Sequence, residues 1–358
     1  MSNVRKKGRG AQKKINNKFH EYQYEREWTD EDAEEYTKTP KTEFQLIHPK
    51  SIVNKVTSPD VGMMYSMNPY QGCEHGCIYC YARNSHEYWG YGAGLDFETK
   101  IMLKRNAPLL LESHLQNPNW QAYPIMMSGN TDCYQPIERK ERLTRKCLEV
   151  FWNYRHPVGM ITKNSLVLRD LDILKKLAAD NLVHVTISIT SLHEDIRRKL
   201  EPRTSSVKQK LKTIKILTDE GIPTQLMMGP IIPGLTDHEI FDVAKAAADA
   251  GAVNMVFTMV RLNGQIGSLF LDWVVQAFPS KADKIISLIK QVHNGKLNDS
   301  RWGVRKRGDG KLATIIHRQI AMAKSKYMSG RQTPAYNLEL HEHYKSKQLN
   351  LFYNKDNL

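Results

Sequence analysis

Three of the chain's five cysteines stand close together, Cys73, Cys77 and Cys80, in the run Asn68-Pro69-Tyr70-Gln71-Gly72-Cys73-Glu74-His75-Gly76-Cys77-Ile78-Tyr79-Cys80-Tyr81. Thiols bunched as C-x3-C-x2-C are metal ligands by type and spacing. Structural zinc sites and ordinary ferredoxin clusters take four protein ligands, so three cysteines leave one metal position open. In a four-iron cluster, that open iron can bind a substrate or cofactor directly. The competing reading is a zinc site completed by His75 or the distant Cys133. Zinc sites usually pair one C-x2-C unit with a second, and only one is present here. Gly72 and Gly76 allow the tight backbone that a metal-wrapping loop needs, and Pro69 stiffens its entry. Cys147 falls among Leu143, Val150 and Phe151 at helical spacing and reads as packing.

A reactive loop needs a scaffold, and 358 residues can bury a core the size of an α/β barrel. Hydrophobic content of 41% and aromatics at 9% are globular values. The net charge of +14 points to a polyanionic partner, nucleic acid first. No apolar run approaches the roughly 18 residues of a membrane span, and no hydrophobic signal region follows the basic start. Bunched cysteines argue against a disulfide framework and for a reducing, cytoplasmic compartment.

Short apolar segments alternate with longer amphipathic ones from residue 63, the rhythm of βαβ units and a parallel sheet. Strands are expected at 63–67, 124–128, 158–162, 183–189, 224–228 and 254–260. Helices are expected at 100–115, 138–154, 170–180, 206–220 and 236–250. Val207, Leu211, Ile214 and Leu217 form a core stripe, Gly221 closes that helix, and Thr236 with Glu239 reads as a capping box. Six units make an open, partial (β/α)6 barrel within an α/β fold. Residues 1–45 read as a charged, disordered tail, basic up to Lys18 and acidic from Glu21 to Glu35. Residues 60–275 form the barrel, and 276–358 a basic, α-rich extension that contains another helix at 281–292. Within it Arg301, Arg305, Lys306, Arg307, Lys311, Arg318, Lys324, Lys326 and Arg331 interleave with Trp302, His317 and Tyr327. That pattern fits either a solvated helix face or a nucleic-acid surface.

In α/β barrels the chemistry sits at the C-terminal strand ends. Those ends carry Ser128-Gly129-Asn130-Thr131-Asp132-Cys133, Lys163-Asn164, Ser188 and Thr190, Glu201-Pro202-Arg203, Gly229-Pro230-Ile231-Ile232-Pro233-Gly234, and Arg261 with Asn263-Gly264. His75 and His86 are expected to face solvent.

The cysteine run, with Tyr79 before its last cysteine, resembles the signature of the radical S-adenosylmethionine (radical SAM) superfamily. Further stretches resemble its spore photoproduct lyase-like branch: Tyr81-Ala82-Arg83, Glu98-Thr99-Lys100, Thr131-Asp132 with Gln135-Pro136-Ile137-Glu138, Glu201-Pro202-Arg203 and Pro230-Ile231-Ile232-Pro233-Gly234-Leu235. The resemblance implies that Cys73, Cys77 and Cys80 ligate a 4Fe-4S cluster whose fourth iron is chelated by S-adenosylmethionine. It further implies a low-potential electron donor of flavodoxin or ferredoxin type, and a 5′-deoxyadenosyl radical that abstracts hydrogen from a substrate in the barrel mouth. The cofactor's carboxylate would then need a cation, Lys163 or Arg203. Its ammonium and ribose would need Ser128, Thr131, Asp132, Ser188 and Glu201, with Gly129 alongside. Its adenine would need Tyr79 and the turn at Gly229. In that branch a hydrogen-donor cysteine stands just ahead of the second-strand aspartate. Asn130 and Thr131 occupy those places here, which leaves Cys133 as a displaced relay, a substrate-facing thiol or a packing residue. Two other readings stay open: a radical SAM enzyme acting on a peptide or small metabolite, and a non-catalytic iron–sulfur or zinc module that binds nucleic acid.

Overall fold

The computed structural model describes residues 6–13, 15–19 and 41–345. Its strands form two sheets. A small one joins β1 (Glu43–Leu46), β4 (Tyr70–Gln71) and β5 (Lys100–Leu103) in the order β1-β5-β4. The large one contains β2 (Val53–Lys55), β3 (Tyr65–Met67), β6 (Ile125–Met127), β7 (Val158–Thr162), β8 (Val183–Ser188), β9 (Thr224–Ile231) and β10 (Asn254–Met259). From β3 through β10 its strands are parallel and pair in chain order, while β2 lies antiparallel on the outer edge of β3. The sheet therefore ends in two edges, β2 and β10, and the barrel is open, as six βα units require. Val158, Met160, Val183, Val185, Ile187, Leu226 and Met228 are all buried in one core, which explains runs too apolar for a one-sided sheet.

The helices Leu171–Ala179, Val207–Asp219 and Ile240–Asp249 cover that core with their apolar stripes. Val207, Ile214 and Leu217 are buried, and Gly221, at φ +74°, takes the left-handed turn that ends their helix.

Three local expectations are corrected. Residues 100–103 are strand rather than helix, because Ile101, Met102 and Leu103 are buried between β1 and β4, and the helix begins only at Ala107. The helix expected at 138–154 breaks at Arg142, which adopts φ 53° and ψ 33°. Glu138 turns back there to accept hydrogen bonds from Thr144 N at 3.0 Å and from Arg169. Thr236 and Glu239 do not form a capping box. The Thr236 hydroxyl accepts from Ile232 N, while Glu239 accepts from Ser191 Oγ and Leu192 N in the loop after β8.

Part of the expected free tail is packed. Arg9, Gly10, Ala11 and Asn17 are buried, and the Arg9 guanidinium donates to Glu98 O at 2.8 Å. Arg5, Lys14 and the acidic stretch from Glu21 to Glu35 lie outside the described residues. The C-terminal part is helical at Gln265–Ala277, Ala282–Gln291 and Gly310–Met328. Beyond it the chain returns beneath the barrel, where Asn337 N donates to Asn181 O and Tyr336 stacks on His184. No helix among the described residues is long and apolar enough to cross a membrane.

Burial sets the expected cost of trimming this core. Ile214→Ala, at a fully buried site, should destabilise by about 2–5 kcal/mol. Leu109→Ala, at a side chain 68% exposed, should change little. Anaerobic urea denaturation of the two variants checks the contrast.

Candidate metal centre and active site

The cysteine loop leaves β4 through Gly72 and is held from several sides. Gln135 clamps its start, with Nε2 donating to Gly72 O at 3.1 Å and Oε1 accepting from Glu74 N at 2.9 Å. Glu74 accepts from Ile137 N and pairs with Arg203 at 3.2 Å. Farther on, the fully buried Arg83 donates to Cys77 O at 2.9 Å, to Ala93 O and Gly94 O, and to Glu98 at 2.6 Å. The same Glu98 carboxylate accepts from Gly10 N and Ala11 N. Gly76, at φ +68°, lies so close to it that a Cβ would meet Glu98 Oε2 at 2.8 Å. The loop is thus cast in shape by side chains that bind its backbone and flanks.

All three thiols are free, and Cys80 lies between the apolar groups that bury Cys73 and Cys77. Burial pushes Cys73 upward, and the negative charge of Asp132, Cys77 and Cys80 adds to the shift. A bare thiolate is therefore disfavoured here, and a bound cationic metal would reverse that balance. The donor set is soft and tripodal. Both residues considered for a fourth ligand are otherwise engaged. His75 is buried, with Nδ1 3.3 Å from Asp132 and Nε2 3.2 Å from the Asn164 amide, so the expectation that it faces solvent is corrected. Cys133 is fully buried in the main core, with its amide on Ser128 Oγ and its carbonyl on Thr144. Three sulfurs without a protein fourth fit an iron–sulfur cluster with one open iron, and not a closed zinc site. Burial keeps His86 neutral, pushing it down to about 4, and its ring stacks on Tyr91. The solvent-facing expectation fails for it too.

Above the loop, the predicted polar residues divide into networks. Glu201, fully buried, accepts from the Tyr79 hydroxyl, Thr190 Oγ1, Lys163 Nζ at 3.1 Å and Lys210 Nζ at 2.8 Å. Burial opposes its charge, but Lys163 and Lys210 override burial and hold its carboxyl well below the ordinary range. Lys163 also donates to Gly229 O at 3.2 Å. The second network centres on Asp132, which accepts from Thr162 Oγ1 and Lys163 N and faces His75. Burial works against its charge as well, yet His75 and these donors keep it below the ordinary range. Thr131 is turned inward, its hydroxyl on Tyr70 O and its amide on Asn68. Gly129 O accepts from the Tyr81 hydroxyl.

Asp132, Glu201 and Thr131 therefore hold protein groups in place. The groups left to face a ligand are Ser188, whose hydroxyl has no partner among the described residues, and Arg203, whose guanidinium has a single carboxylate contact. Lys210, Glu98 and Arg83 complete the site, yet only the last two lay in stretches that drew notice. Lys210 sits in an ordinary amphipathic helix and carried no signal.

Replacing Glu201 tests the network. Glu201→Gln leaves Lys210, 1% exposed, beside a neutral amide and should cost about 3–5 kcal/mol near neutral pH. Because the folded carboxyl titrates low, its contribution is complete above the ordinary carboxylate range and vanishes as pH falls through the folded value. Acid titrations of stability for the wild type and the variant should accordingly converge at low pH.

Residues 67–247 match the radical SAM superfamily, whose members are enzymes that use a 4Fe-4S cluster and S-adenosylmethionine and need a reductant. An uncharacterised protein of Mycobacterium bovis is 29% identical over 251 residues, covering 69% of this chain and 74% of its own. One from Methanocaldococcus jannaschii is 32% identical over 200 residues, covering 56% of this chain and 71% of its own. Among solved structures, a spore photoproduct lyase variant with bound AdoMet and dinucleoside spore photoproduct superposes with a TM-score of 0.56. At 14% identity over 82% of each chain, that likeness speaks to the fold, which is the partial radical SAM barrel. The family match spans half of the chain and contains the cysteine loop and, whole, four of the six parallel strands, β6 to β9, so this chain belongs to the radical SAM superfamily.

Proposed function

We propose that Cys73, Cys77 and Cys80 hold the 4Fe-4S cluster and that the barrel mouth above them binds S-adenosylmethionine and a nucleic-acid substrate. The observation that carries the reading is a set of three free thiols, two buried and one partly buried, while His75 and Cys133, the residues considered for a fourth ligand, are taken up elsewhere. When bound, cluster and cofactor supply one-electron cleavage of the sulfonium and, through it, hydrogen-atom abstraction.

This chain's residues do the holding. Arg203 offers a cation to the cofactor's carboxylate, Lys163 being held by Glu201 and Gly229 O, and Ser188 offers a hydroxyl to its polar groups. Tyr79 keeps its ring against the mouth because Glu201 and Thr190 fix its hydroxyl. Gly229 places backbone beside Lys163, where a side chain would crowd Met227 and Thr258. Cys133, buried in the core, packs and does not meet a substrate. Nucleic acid as substrate is supported by the net charge of +14 and by the dinucleoside bound in the structural neighbour. A flavodoxin or ferredoxin is the donor that such a cluster requires, and the cytoplasm is the compartment that keeps its thiols reduced.

Anaerobic reconstitution with iron and sulfide, followed by reduction in the presence of S-adenosylmethionine, tests the assignment. The expected result is accumulation of 5′-deoxyadenosine, abolished by Cys77→Ala. A colourless protein that retains only zinc would overturn it.

A further inference from the structure

We propose that Arg261 and Lys306, at the C-terminal end of β10, form the subsite for a phosphate group of the substrate. The proposal rests on the reading above for what the mouth is, and it assigns the charge that the substrate carries there.

Several cations of the C-terminal part are already matched. Arg301 is held by Asp299 at 2.6 Å and by Asp309 at 3.1 Å. Arg305 is paired with Asp60, donates to Ser58 Oγ at 2.5 Å and stacks over Trp302 at 3.6 Å. Arg331 donates to Ala248 O and Ala252 O on the far side of the barrel. These side chains are structural, and they remove much of the apparent basic surface of the C-terminal part.

Two half-buried cations remain at the mouth. Met259 N donates to Lys306 O at 2.8 Å, which fixes that segment against the end of β10. The Lys306 ammonium has no side-chain partner among the described residues. Arg261 follows two residues after β10 and makes one side-chain hydrogen bond, from Nε to Asn298 at 3.3 Å, with no ion-pair carboxylate among the described residues. The nearby Asp60 carboxylate is committed to Arg305 and Gly303 N. Burial first, and then neighbouring positive charge, pulls both groups below their ordinary values.

Two cations brought together, with the one nearby carboxylate, Asp60, already paired to Arg305, are electrostatically unfavourable in the free protein and favourable once an anion enters. A guanidinium fork and a point-charge ammonium together suit the several oxygens of a phosphate. The position also suits a substrate group. Tyr81 directly follows the third cysteine, is 54% exposed, donates its hydroxyl to Gly129 O, and stands within electrostatic range of Arg261. Its open ring beside the cations offers a surface on which a base can stack.

Binding to the reconstituted holoenzyme tests this without turnover, so the result stands apart from whether S-adenosylmethionine is cleaved. A labelled single-stranded oligodeoxynucleotide is followed by anisotropy across a salt series, and thymidine monophosphate against thymidine by calorimetry. Arg261→Gln with Lys306→Gln should weaken the phosphate ligand about tenfold or more and lower the oligonucleotide's salt slope by about one. Arg261→Lys with Lys306→Arg, compared at matched cluster content and far-UV circular dichroism, should retain binding. If the monophosphate shows the same loss and thymidine none, the phosphate belongs to a small ester. If only the oligonucleotide does, it belongs to a polymer. Equal affinity of wild type and the glutamine variant for both ligands, or no binding of either to the wild type, overturns the proposal.

Discussion

A single buried carboxylate, Glu201, ties the cysteine loop to the barrel. Its oxygens receive a tyrosine hydroxyl from the loop, a lysine from the end of β7, a threonine from the end of β8 and a lysine from the helix Val207–Asp219. An isolated charge at such depth would be prohibitive, and several hydrogen-bonded cationic and neutral donors make it tolerable. The consequence is geometric. Tyr79 stands next to Cys80, so the position of the third sulfur is set by strands far away in sequence. Asp132 and Glu98 repeat the device. Asp132 binds His75 to β7, and Glu98 binds Arg83 and the N-terminal segment around Gly76. Two fully buried carboxylates and one that is mostly covered therefore hold a loop that has little regular secondary structure of its own.

This explains why so many polar residues at the strand ends face inward. A cluster loop must be rigid, because three sulfurs have to share one metal geometry without help from a fourth protein ligand. Rigid positioning of such ligands is supplied by hydrogen-bonded neighbours. The groups proposed to meet a cofactor or substrate are few: the buried Ser188, and the half-buried Arg203, Arg261 and Lys306.

Much of the scaffold was legible in advance. The six parallel strands were readable because β-branched and apolar runs alternate with amphipathic stripes, and both periods are local. The cysteine loop was readable because ligand chemistry needs its residues close in sequence. What failed was set by distant partners. Residues 100–103 are strand only because β1 and β4 lie on either side, and Glu239 abandons its helix cap for a loop forty-odd residues earlier. His75 looked like a surface polar residue, since nothing nearby announces Asp132 as its partner, and His86 did too, although the aromatic rings that cover it, Tyr91 and Phe97, follow closely in sequence. Lys210 was invisible for the same reason as His75. Its neighbours read as an ordinary helix, and only the fold brings it to Glu201.

The central claim is that three thiols hold a cluster with one iron open to the cofactor. Electron paramagnetic resonance of the reduced, reconstituted protein addresses it directly, recorded with S-adenosylmethionine whose carboxylate carries oxygen-17. The account predicts a cluster signal that shifts when the cofactor is added and broadens with the labelled carboxylate. A reduced cluster signal that neither shifts nor broadens would contradict it.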